Sequence, residues 1–129
     1  PCATENELSD EDARTLLNGG CICVCEGANM PSTQAAADAL LAAGIAYGPA
    51  KAANAGGVAA SQLEMAQNAS MLQWSFEEVD SRLKNIMQTI FRTASETAKE
   101  FGEPGNLVLG ANIAGFRKVA DAMIDQGVV

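Results

Sequence analysis

Cys21-Ile22-Cys23-Val24-Cys25-Glu26-Gly27-Ala28-Asn29-Met30-Pro31 passes from an apolar run into a Gly/Asn/Pro-rich turn. The run predicts a short strand over residues 21–25, apolar on both faces, as in a parallel sheet covered on each side. Residues 26–31 then form a loop at its carboxyl end, and Ser32 or Thr33 caps a helix that Leu40, Leu41 and Gly44 close. Before the strand, Ser9 with Asp12 three residues on predicts a helix start, and Asn18-Gly19-Gly20 predicts its end. After it, Ile45-Ala46-Tyr47 reads as a second strand that stops at Gly48-Pro49. Helix–strand–helix–strand is the tail of a doubly wound α/β unit whose earlier strands are absent from the chain. Ligands in such folds sit beyond the carboxyl ends of the strands. The segments at residues 1–6, 26–31 and 48–57 are therefore expected to line one crevice.

From Ala55 onward the pattern is helical. One helix is expected from Gly56 to about Leu72. A longer one follows from Phe76 to Phe101, with Val79, Leu83, Ile86, Met87, Ile90, Ala94, Ala98 and Phe101 at helical spacing. Gly102-Glu103-Pro104-Gly105 breaks it, and a last helix is expected from Asn112 to about Gln126, with Ile113, Phe116, Val119, Ala120 and Met123 on one side. These stripes read as core packing. Glu77, Glu78 and Asp80 read as a solvated helix start, where negative charge favours the positive end of the helix dipole.

Composition narrows the chemistry. The 129 residues carry 16 acidic and 8 basic side chains and no histidine, a net charge of −8. Scattered cations and an acidic balance argue against nucleic acid as a partner. Asp38, Lys51 and Gln62 interrupt the apolar stretches, so no segment is expected to span a membrane. The start at Pro1 resembles neither a signal peptide nor a natural beginning, and the chain is taken as a fragment. Without histidine, Ser-His-Asp and Cys-His mechanisms are unavailable. Cys21, Cys23 and Cys25 share one strand face, too far apart in sequence register for a disulfide. They read as buried thiols in a reducing, cytoplasmic setting, with metal binding the minor alternative. Gly110-Ala-Asn-Ile-Ala-Gly115 has phosphate-loop spacing, but Phe116-Arg117 follows where Lys and Ser/Thr are needed, so that reading is rejected.

The most informative stretch is Lys51-Ala-Ala-Asn54-Ala-Gly56-Gly57-Val58-Ala-Ala-Ser61. Asn54 is placed to cap the helix that begins here, and Gly56 and Gly57 leave its first turn bare. A bare first turn lets a ligand's carboxylate or carboxamide oxygens approach backbone N–H groups. Val58 and Ser61, three apart, offer one apolar wall and one hydroxyl on the same face. Close helix packing alone would explain the glycines equally well.

Five colinear blocks carry a family resemblance: residues 1–8 (Pro-Cys-Ala-Thr-Glu-Asn-Glu-Leu), 26–31, 51–58, 63–69 (Leu-Glu-Met-Ala-Gln-Asn-Ala) and 110–116. Together they closely resemble the carboxyl-terminal part of glutamate dehydrogenase, most of all the NADP-linked, hexameric bacterial type, and the similarity runs to Val129. The resemblance implies a Rossmann-like cofactor domain ending at residues 1–54. Residues 55–129 would form a helical segment that packs on it and makes the hinge toward a substrate domain. It also implies reversible oxidative deamination of L-glutamate to 2-oxoglutarate and ammonium with NADP, NAD being the other cofactor left open. Carried over, Ser61 hydrogen-bonds the substrate side-chain carboxylate and Val58 packs on its methylenes. Asn54 and the Gly56-Gly57 backbone border the nicotinamide, Asn29 binds the adjoining ribose, and Ala3-Thr4 lie along the same edge. Glu5 stands where the family commonly has glutamine. No catalytic residue is expected within the chain, since the family's catalytic lysine and aspartate belong to the missing amino-terminal domain. Lys51 is read as structural or solvated.

The resemblance further implies a homo-hexamer for the whole enzyme. The chain alone is expected to be inactive and to self-associate through its unpaired sheet edge. The alternatives are a leucine- or phenylalanine-type dehydrogenase, or a non-catalytic interaction module.

Overall fold

Val24 and Tyr47 stand side by side in a two-stranded parallel sheet, and both are buried. This computed structural model describes residues 1–127; Val128 and Val129, where the family resemblance ends, lie outside them. The strands are β1 (Cys23–Cys25) and β2 (Ala46–Gly48), and the helices are α1 (Asp10–Asn18), α2 (Gln34–Ala42), α3 (Ala50–Ala53), α4 (Ala55–Ser70), α5 (Phe76–Glu100) and α6 (Leu107–Gln126). The α/β class and the parallel pairing agree with the sequence pattern.

Local chemistry sets the helix ends. The Ser9 hydroxyl accepts from the Asp12 N–H, and the Asp12 carboxylate accepts from the Ser9 N–H, a reciprocal capping box that starts α1. Hydrogen bonds from the Ser9 hydroxyl and N–H hold the Asp12 carboxyl below its ordinary range. Thr33, not Ser32, caps α2 by accepting from the Ala36 N–H. Ser75 does the same for α5 through the Glu78 N–H, and Glu78 in turn takes Arg82 one turn on.

Two cores result. Ala13, Val24, Ala36, Leu40 and Tyr47 pack α1 and α2 on one face of the sheet. Ala94 and Ala98 of α5 meet Gly110 of α6, where a Cβ on Gly110 would lie 1.9 Å from the Ala94 carbonyl oxygen. The Gly110–Gly115 stretch is therefore helical and packs against a neighbour, in keeping with the rejection of a phosphate loop.

Several expectations need correction. The strand cysteines are not buried: Cys23 and Cys25 are exposed, Cys21 is half-buried, and all four cysteines are free. Period-two alternation puts Val24 on the face that α1 and α2 cover, so the Cys23 and Cys25 sulfurs take the other face. Cys21 lies before the strand and packs against the Val24 core instead of sharing their face. That face looks into a hollow of about 470 Å³ bounded across from it by Met87, Ile90 and Phe91 of α5. Ile22, read as part of the strand, lies before it and is 81% exposed. The segment at residues 48–57 is not all loop, because α3 occupies part of it. The last helix begins at Leu107, not Asn112, with the Asn106 side chain accepting from the Leu109 N–H. The apolar stripes are only half core. Phe101, Phe116, Val119 and Met123 are exposed, since no described residue packs over their side of α5 and α6.

Candidate functional site

The three segments expected to share a crevice do meet. Parallel pairing carries β1 and β2 to the same end, where Cys25 aligns with Gly48. Beyond it, the Gly27 N–H donates to the Pro1 carbonyl at 2.9 Å, and the Asn6 N–H donates to the Met30 carbonyl at 3.0 Å. The opening segment is thus laid along the β1 loop. Loop and helix junction are joined by side chains: Glu26 Oε2 accepts from the Ala50 N–H at 2.7 Å, and Asn54 Nδ2 donates to the Ala28 carbonyl at 3.2 Å.

Asn54 therefore does not act as expected. It occupies the capping position of α4, but its backbone is helical and its side chain makes no capping bond. The amide turns back to the β1 loop, so α3 runs into α4 through Asn54 rather than leaving a free-standing helix tip. Gly57 still leaves a gap: a Cβ built there meets nothing within 4 Å. At Gly56 a Cβ would sit 3.5 Å from the Met87 sulfur, so this glycine also serves the packing of α4 on α5.

Val58 is 69% exposed, and Ser61 is exposed one turn on. The Ser61 hydroxyl donates to the Gly57 carbonyl at 3.3 Å, the back-bond open to any helical serine. To donate to a ligand it has to rotate away from that carbonyl. Asn29, Ala3 and Thr4 are exposed on the loops. The Ala3 and Thr4 N–H groups are engaged by the Glu7 carboxylate at 3.0 and 3.3 Å, and those bonds, Ala3 first, lower the Glu7 pKa. Ala3 and Thr4 consequently present carbonyls and the threonine hydroxyl, not amides, to a ligand.

Three features escaped sequence reasoning. Glu26, read as a loop residue, is 5% exposed. Glu7 organises the opening segment, and only its spacing from Ala3 could have suggested it. Lys51 Nζ donates to Asn112 Oδ1 at 2.6 Å, tying α3 to α6 across 61 positions.

Glu26, Ser32, Tyr47, Lys51 and Asn112 line a second hollow of about 380 Å³. Burial, and next the Glu26 carboxylate, push the Tyr47 phenol above its ordinary range. Ser32 Oγ lies beside the phenol, yet no group meets it at hydrogen-bonding geometry. Neither this hollow nor the larger one under the sheet is lined by Val58, Ser61 or Asn29. Each of the three is exposed rather than enclosed. No group of metal-ligating side chains is assembled among the described residues, and no helix among them is long and apolar enough to cross a membrane.

Residues 1–127 match the family described as Glutamate/Leucine/Phenylalanine/Valine dehydrogenase. An NADP-specific glutamate dehydrogenase of Helicobacter pylori is 66% identical over 128 residues, and the same-named Escherichia coli protein is 55% identical over 129. These matches take in 99% and 100% of this chain but 29% of each relative, so the chain spans under a third of their length. A crystal structure of Plasmodium falciparum glutamate dehydrogenase superposes with a TM-score of 0.94 at 51% identity, over 100% of this chain and 28% of that one. A hetero-hexameric glutamate dehydrogenase from Thermus thermophilus, in its leucine-bound form, superposes at 0.89 with 28% identity, over 99% of this chain and 30% of that one.

Proposed function

The chain belongs to the glutamate/leucine/phenylalanine/valine dehydrogenase family, and on that premise we propose that it forms one wall of the active cleft of an NADP-linked glutamate dehydrogenase. The reaction is L-glutamate, water and oxidised NADP giving 2-oxoglutarate, ammonium and reduced NADP. Residues 1–54 close the cofactor domain, and residues 55–129 bear on the substrate domain of a cytoplasmic homo-hexamer. The catalytic acid and base come from outside these residues.

The carrying observation is a juxtaposition. The loop at the carboxyl end of β1 is hydrogen-bonded through Ala28 to Asn54, at the start of a helix that exposes Val58 and Ser61. NADP, when bound, supplies the hydride acceptor. The space over Gly57 suits the approach of a flat ring to the backbone, since no side-chain or backbone atom stands where a Cβ would project. Asn54 and Gly56 border that ring, and Asn29, with Ala3 and Thr4 along the edge, takes the adjoining ribose. Val58 packs on the substrate methylenes. The Ser61 hydroxyl leaves the Gly57 carbonyl and donates to the side-chain carboxylate, a charge-assisted bond. Holding substrate and ring together at near-attack distance is the wall's contribution to rate.

The test uses a full-length enzyme in which this chain replaces the matching segment of its Helicobacter pylori relative. Ser61→Ala should lower kcat/KM for glutamate by about tenfold to a hundredfold, the worth of a hydrogen bond to a charged group. Turnover of leucine, which has no side-chain carboxylate, should be the same in both proteins. Unchanged glutamate kinetics would remove Ser61 from the site, and leucine turned over faster than glutamate would move the enzyme to the leucine type.

A further inference from the structure

Glu26 is a carboxylate nine-tenths buried that forms no ion pair among the described residues. Burying a charge is costly unless hydrogen bonds replace its lost water. An apolar side chain would fill the same space without that cost. What Glu26 offers instead is an acceptor of defined position: Oε2 takes the Ala50 N–H, the first amide of α3, at 2.7 Å. Its own N–H donates to the Gly48 carbonyl at 2.9 Å. One residue thus grips β2 through its backbone and the helix after β2 through its side chain. Asn54 adds the second tie, to Ala28. Between these two bonds lie the loop that carries Asn29 and the junction that leads to Gly57, Val58 and Ser61.

We propose that Glu26 is a positioning residue that holds the Asn29 loop and the α3–α4 junction in one frame, so that the cofactor edge and the substrate edge of the wall stay aligned. The inference rests on the proposed dehydrogenase function for its consequence, though not for its geometry. Removal of the carboxylate leaves the Ala50 N–H without its acceptor and frees the loop to shift against the helix. A misplacement of about 1 Å in a reacting geometry costs roughly a hundredfold in rate.

Glu26→Ala, Glu26→Gln and Glu26→Asp are compared in the same full-length chimera. Glutamine keeps an oxygen at the same reach and should leave both Michaelis constants near those of the parent. Alanine should raise the KM for NADP and lower kcat/KM by about tenfold to a hundredfold. Aspartate, one methylene short, should fall between, and it serves if the alanine variant does not fold. Loss of folded enzyme alone would scale kcat and leave KM untouched. Hydrogen exchange supplies a readout independent of turnover: the alanine variant should speed exchange of the Ala50 amide together with residues 27–30. Unaltered exchange there, or unaltered KM values in folded Glu26→Ala and Glu26→Asp, overturns the inference. If Ser61→Ala impairs glutamate turnover while the Glu26 variants do not, the positioning role fails and the functional reading stands. If the parent chimera does not reduce NADP with glutamate, the functional reading fails and exchange alone judges the clamp.

Discussion

Gly110→Ala should destabilise the protein by about 3 kcal/mol, the upper end of what an overpacked core costs. The Cβ would fall 1.9 Å from the Ala94 carbonyl oxygen, 2.8 Å from its carbon and 3.1 Å from the Ala98 methyl. Two of these three atoms are backbone, so no rotamer change relieves the clash, and α6 has to move off α5. That contact joins the two longest helices, and Ala94 and Ala98 are both buried. Chemical denaturation of the full-length chimera, followed by circular dichroism, measures the loss. Gly115→Ala is the internal control, because a Cβ there meets nothing within 4 Å. There the alanine should be neutral or stabilising, since it is the better helix former. Equal effects at the two glycines would show that the α5–α6 approach is looser than described.

Leu40→Ala strikes the other core and should cost about 2–5 kcal/mol, the range for emptying a buried leucine site. Leu40 is wholly buried among Ala13, Val24, Ala36 and Tyr47. Three of those residues are too short or too stiff to close the space left behind. Val24 and Tyr47 are also the paired residues at the centre of the sheet. Slackness at Leu40 therefore reaches the strand ends that carry the Glu26 and Pro49 segments, and activity should fall along with the unfolding midpoint. A folded, fully active Leu40→Ala enzyme of parental stability would mean that this cluster does not support the wall.

How much of this was legible without coordinates follows from the range of the forces involved. Capping is local, so Ser9 with Asp12, and Gly44, mark helix ends that the chain itself announces. Ser75 at the head of α5 carries an equally local signal. Period-two alternation separates Cys23 and Cys25 from Val24 correctly, but Cys21 lies before the strand and packs against the Val24 core. Which face is covered depends on α1 and α2, so Ile22 and the Cys23 and Cys25 thiols are exposed where burial is expected. Alternation reports sidedness, not coverage. The apolar stripe at Phe116, Val119 and Met123 fails in the same way: the period is right, but no described residue covers it. Asn54 misled because a capping residue type at a helix start is also able to reach another loop, and a partner 26 positions away cannot be read from spacing. The short α3 was hidden by Gly48-Pro49 on one side and Asn54 to Gly57 on the other. Glu26 was missed for the plainest reason. Acidic residues after strands are usually solvated, and nothing nearby in sequence marks this one as buried. Of the candidate site, the chain disclosed which segments would meet, because strand order alone brings them together, while the bonds that hold them are tertiary.

The most direct measurement is a crystal structure of the full-length chimera with glutamate and NADP bound. Ser61 Oγ should be turned from the Gly57 carbonyl to within about 3 Å of the substrate side-chain carboxylate, with Val58 against its methylenes and the nicotinamide ring over Gly57 with Asn29 at its ribose. Ligands seated elsewhere, with Val58 and Ser61 still facing bulk water and the Ser61 hydroxyl still on its own helix, would contradict it.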